Sequence, residues 1–151
     1  MDSIFKTWET SRKLYAGHFD KYSLEQLNKV PQGFNNNLIW NIGHVVVAQQ
    51  SLVYRLSGLE MQVSDALFDR YKSGTKPTQD VTQKEADELK ALLFSLIDKT
   101  KADLAAGKFV TFQERLTGTG FLLTNLNDAL EFNNYHEGMH LGVMMGIRKF
   151  V

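Results

Sequence analysis

Cysteine is absent from this chain of 151 residues, and with it go thiolate metal ligands, a nucleophilic thiol and any disulfide. At this length, with 43 % hydrophobic residues, the chain can bury a core that needs no covalent staple. An excess of charge is also missing: 17 basic residues face 17 acidic ones, and no Lys/Arg run stands out. A nucleic-acid binder that works through the phosphate backbone needs a basic field, so none is expected here. No cationic amphipathic segment suggests binding to a membrane surface, and no apolar run is long enough to span a bilayer. The start, Met1-Asp2-Ser3-Ile4-Phe5-Lys6, lacks the cationic-then-apolar order of a signal peptide. The expectation is a cytoplasmic protein with a single domain over residues 1–151.

What remains is helical periodicity. Ile4, Trp8, Ser11, Tyr15, His18 and Tyr22 recur at steps of three and four, the period of one helix face. Val30-Pro31-Gln32-Gly33 breaks the pattern. A second long helix is predicted from a cap at Asn35 to Asn37 through Leu38, Ile42, Val45, Ala48 and Leu52 to a stop at Ser57-Gly58. Asp65 to Tyr71 reads as a short extra helix ahead of Gly74 and Pro77. Thr82 and Glu85 have capping-box spacing and open a third long helix that ends at Gly107. Phe109 to Phe112 is the one β-like run. A fourth long helix runs from Thr124 or Asn125 to about Lys149. Four long helices in a chain this short predict an all-α four-helix bundle. Gly138, Gly142 and Gly146 form a bare ridge on the last helix. Since glycine inside a helix costs about 1 kcal/mol relative to alanine, close packing is expected there, against a neighbouring helix or, preferably, a second subunit.

The chemistry concentrates in Tyr135-His136-Glu137-Gly138-Met139-His140. His136 and His140 lie four apart and project from one helix face, the one that also carries Ala129, Phe132, Asn133, Val143 and Ile147. Two neutral imidazoles on an apolar face each need a partner, and one metal ion satisfies a nitrogen of both. His44, on the stripe with Asn41, Ala48 and Leu52, is the third candidate ligand from a facing helix. Three protein nitrogens leave one coordination position open, as catalytic sites do. A fourth ligand from His18, Glu137 or Asn41 would close the site into a structural one. The plainer alternative is a bundle without metal, its histidines joined in a hydrogen-bond network. His18, near Trp8 and Tyr15, reads as a core or rim residue. The segment also matches His-Glu-x-x-His, in which Glu137 would be the general base beside a metal-bound water. A protease context fails, because Gly146 stands where a further histidine would fall and no sheet offers a peptide-binding edge.

Three segments resemble the DinB-like superfamily. They are Asn41-Ile42-Gly43-His44; Phe68-Asp69-Arg70-Tyr71 with Gly74-Thr75-Lys76-Pro77; and His136-Glu137-Gly138-Met139-His140-Leu141-Gly142 with Ile147-Arg148-Lys149. The resemblance spans nearly the whole chain. It implies a four-helix bundle with zinc or nickel on His44, His136 and His140, often as a homodimer. It also implies relatives that transfer a low-molecular-weight thiol (bacillithiol, mycothiol or glutathione), one branch isomerising maleylpyruvate with mycothiol. The expected partners are a small-molecule substrate and a second copy of the chain. The expected cofactors are a divalent metal ion and a small thiol. Two other functions stand beside the transferase: a metal-stabilised binding or stress-response module without turnover, and a metal-dependent hydrolase using Glu137.

Overall fold

The computed structural model describes residues 1–151 and contains six α-helices. They are α1 (Asp2–Lys21), α2 (Leu24–Asn28), α3 (Leu38–Val53), α4 (Asp65–Tyr71), α5 (Gln83–Ala105) and α6 (Leu126–Ile147). A 3-10 turn, Arg55–Ser57, follows α3, and two short strands, β1 (Arg115–Leu116) and β2 (Leu122–Leu123), precede α6. The fold is all-α apart from that hairpin. The four long helices pack in a ring in which α1 touches α5 and α6, and α3 touches the same two. No helix is long and apolar enough to cross a membrane.

Side-chain caps set the helix starts. Asn37 accepts from the Trp40 N–H at 2.8 Å, Ser64 from Leu67 at 3.2 Å, and Asn125 from Asp128 at 3.1 Å. Thr82 accepts from Glu85 N–H at 3.3 Å. The reciprocal half of the expected capping box is absent, because the Glu85 carboxylate is drawn to Arg70 at 2.9 Å and to the Tyr71 hydroxyl at 2.5 Å. The unanticipated α2 opens with a complete capping box between Ser23 and Gln26.

The β-like run at Phe109 to Phe112 is not a strand. Its residues lie along the 3-10 turn, with Thr111 donating to Ser57 O at 3.0 Å and Gln113 N–H to Leu56 O at 2.6 Å. The hairpin forms farther on, pairing Arg115 with Leu123 and Leu116 with Leu122. Gly120, at φ 84°, supplies the left-handed residue its turn requires.

Of the 16 residues of α3, 13 are buried. A helix apolar nearly all round belongs in an interior, and α4, α5 and α6 enclose it. His44 is therefore carried into the core. Beyond their own stretch of helix, Gly138 and Gly142 have no atom within 4 Å of where a Cβ would stand, and Gly146 meets only the Phe34 ring at 3.7 Å. The ridge packs against no helix of its own chain, which corrects one of the two partners expected for it.

Candidate metal centre

His44 on α3 and His136 and His140 on α6 converge, each offering a ring nitrogen within 4.8 Å of the others. His44 Nε2 and His136 Nε2 are 3.2 Å apart. Ring centroids are separated by 5.1 Å for His44 and His136, 4.7 Å for His44 and His140, and 4.6 Å for His136 and His140. Two ligand nitrogens on a tetrahedral ion with metal–nitrogen bonds of about 2.0–2.1 Å stand about 3.4 Å apart, so the closest pair already has the right spacing. The group holds these three residues and no carboxylate.

Hydrogen bonds behind two of the rings, His44 and His140, decide which of their nitrogens face the common space. His44 Nδ1 lies 2.7 Å from Tyr71 O, and a carbonyl only accepts, so Nδ1 carries the proton and Nε2 keeps its lone pair. His140 Nδ1 lies 2.8 Å from Asn41 Oδ1. Asn41 is oriented by its own amide, which donates to Asn37 O at 2.7 Å and to Asn36 Oδ1 at 3.0 Å, so its oxygen faces the ring. Carbonyl partners at Nδ1 that fix tautomer and ring direction are the usual support of metal-binding histidines. Trp40 stacks on His44 with its plane tilted only 8° and its centroid 4.9 Å away. It is held by an N–H bond to Thr75 Oγ1 at 3.2 Å.

Burial keeps the rings neutral, as ligation requires. It pushes His136 down to about 3, helped by the neighbouring His140, His44 and Arg12, and His140 down to about 4, helped by His44. His44 is lowered for the same reason, partly offset by the Tyr71 carbonyl. An unfolded histidine titrates near 6.5, so below that pH the unfolded chain binds more protons than the folded one. The metal-free protein should therefore hold its full histidine-dependent stability above about pH 6.5 and lose it as pH falls toward 4. Urea midpoints across that range test this. An equally steep loss in His136→Asn would assign the effect to other groups.

All three histidines lie within the stretch of the chain that matches a known family. The sequence pattern of the DinB superfamily matches residues 7–144. The chain belongs to the DinB superfamily. No curated protein matches it by sequence.

In this DinB-superfamily protein none of the other site candidates joins the three histidines as a ligand. Glu137, expected as a base beside the metal, is fully buried in an ion pair with Arg12 of α1, whose Nη2 donates at 2.6 Å and Nε at 3.0 and 3.1 Å. Asn133 adds a donor at 2.8 Å. One residue on from His136, the carboxylate points a third of a turn away. His18 lies in the last turn of α1, with Nδ1 2.9 Å from Leu14 O and its ring stacked on Tyr22. Asn41 orients His140 instead of closing the ligand set.

His44 and His136 line a cavity of about 470 Å³, together with Phe68, Phe132 and Met139 among others. Sequence reasoning did not single out Arg12, Trp40, or the Tyr71 carbonyl. Arg12 follows Trp8 by four residues and precedes Tyr15 by three, which places it on the apolar stripe. That spacing was the available signal.

Proposed function

We propose that this protein binds one zinc or nickel ion through His44, His136 and His140 and transfers a low-molecular-weight thiol to a small electrophile. The observation that carries this reading is the pair of Nδ1–carbonyl bonds, which leave two imidazole lone pairs aimed at a common space beside a cavity. Bound there, the ion would supply an open coordination position and the Lewis acidity that favours a thiolate at neutral pH.

The chain's own residues do the rest. Tyr71 O and Asn41 hold the His44 and His140 rings, Trp40 covers one face of His44, and Phe68 and Phe132 give the cavity an apolar lining. In the net reaction the thiol sulfur bonds to an electrophilic carbon, and the leaving group departs with the thiol proton. With no cysteine in the chain, no internal thiol competes for the ion. Glu137 takes no part as a base in this scheme, because Arg12 and Asn133 engage its carboxylate. The reading includes a homodimer, for which the solvent-facing Gly138 and Gly142 offer a flat contact on α6.

Metal analysis of untagged protein, followed by calorimetric titration, tests the centre. One equivalent of zinc or nickel should bind. His136→Ala and His140→Ala should abolish binding while circular dichroism stays helical, since the core is built without the site. Equal binding in wild type and variants, or loss of the helix on chelation, would remove the reading. A thiol and electrophile panel with His44→Ala as control tests the transfer, which equal rates would exclude.

A further inference from the structure

The cavity beside the histidines has a charge the chain as a whole lacks. Acidic and basic residues balance at 17 each, yet the 17 residues lining this cavity include Arg55, Lys72 and Arg115 and not one carboxylate. The three cations come from separate elements: the 3-10 turn after α3, the C-terminal cap of α4, and β1 of the hairpin. Their convergence is a product of the fold and not of a basic run in the sequence.

Two of the three have no carboxylate partner. Arg70 pairs with Glu85, Lys72 with Asp69 at 2.7 Å, and Lys90, Lys99, Lys101 and Lys108 pair with other acids, whereas neither Arg55 nor Arg115 forms an ion pair. The Lys72 bond joins two exposed side chains, the kind worth little in water and readily exchanged. Arg55 lies with its guanidinium carbon 4.2 Å from the Phe68 ring centroid. Stacking of this kind holds the planar group in place while its N–H edge stays free. Ser51 and Thr117 add hydroxyls to the same wall.

We infer that the cavity takes a small ligand carrying a carboxylate or phosphate group, which Arg55 and Arg115, with Lys72, hold while its other end lies at the histidine centre. The inference rests on the proposed function for what happens at the histidine end. The anion-binding wall itself does not depend on the metal. Guanidinium groups recognise both oxyanions through paired N–H donors, so the shared chemistry is the anionic oxygen group. Leu52, Leu56 and Phe132 line the same cavity and suit a short carbon chain on the ligand.

The test follows the arginine Nε–H resonances of the full chain, supplied with one equivalent of zinc, at constant ionic strength. Succinate, inorganic phosphate and the uncharged succinamide are the probes. Saturable shifts at Arg55 and Arg115 with succinate, with phosphate or with both, and none with succinamide, are expected, and the stronger anion identifies the ligand class. Arg55→Gln/Arg115→Gln, followed through amide resonances of the cavity wall, should weaken that binding at least tenfold while the helical spectrum is kept. Indistinguishable responses to succinate and succinamide, no saturation with either anion, or unchanged affinity in the double variant would overturn the inference. None of these readouts needs zinc to be bound. A failed metal titration would thus defeat the proposed function alone, and a failed anion titration this inference alone.

Discussion

Replacing Arg12 by methionine should cost about 3–5 kcal/mol of folding stability, the usual loss when one partner of a buried ion pair is removed. Both Arg12 and Glu137 are wholly out of solvent. The guanidinium also reaches Gln49 Oε1 at 3.3 Å, and Gln49 in turn donates to Thr100 Oγ1 at 3.0 Å. One polar layer therefore ties α1, α3, α5 and α6 together. Without Arg12, the carboxylate must take up a proton or remain an uncompensated charge in the core. Arg12→Met/Glu137→Leu should recover part of the loss, since replacing both members of such a pair by apolar groups can be nearly neutral. Recovery stops short of complete because Gln49 and Asn133 each lose a partner, at about 1–3 kcal/mol apiece. Urea unfolding of the three proteins decides the matter. A single-variant loss under about 1 kcal/mol would show that the pair does not hold the bundle.

Gly43→Ala is the second large effect, and its direction opposes helix propensity. Inside a helix the exchange is ordinarily worth about 1 kcal/mol in favour of alanine. At position 43 a Cβ would stand 2.4 Å from Tyr71 Cδ1. The Tyr71 ring is buried and its hydroxyl is bonded to Glu85, so it cannot swing aside without breaking that bond. Overpacking of this kind costs about 1–3 kcal/mol and should prevail. The same displacement moves the Tyr71 carbonyl off His44 Nδ1, and loss of such a supporting bond typically lowers metal affinity about 10- to 100-fold. Gly17→Ala is the matched control, because nothing lies within 4 Å of a Cβ there, and it should stabilise. If Gly43→Ala stabilises to the same degree with unchanged metal affinity, the close approach has no energetic weight.

The histidine trio was legible in the sequence because it obeys the helical period. His136 and His140 share a face by spacing alone, and His44 lies on an apolar helix that had to face inward. The caps at Asn37 and Asn125 were legible for a similarly local reason. What supports the trio was hidden, because it depends on side chains far apart in sequence. Tyr71 contributes a backbone oxygen, which any residue could supply. Glu137 looked like a base from its place in the motif, and only the approach of Arg12, 125 residues away, shows its carboxylate engaged. The cationic wall was invisible for the same cause: Arg55, Lys72 and Arg115 are unremarkable until the 3-10 turn, α4 and the hairpin meet.

The polar layer also bears on how the chain can assemble. Arg12 and Gln49 belong to helices made early in synthesis, while Glu137 arrives with α6, the last long helix along the chain. A partial assembly of α1, α3 and α5 lacks the carboxylate that meets the guanidinium in the closed bundle, so the pair adds its stability only when α6 docks. The layer therefore links the docking of the fourth helix to the other three, as a single cooperative transition requires. The histidines follow the same schedule. Two of the three travel on α6, so the tridentate centre cannot form on a nascent chain until the bundle itself has closed.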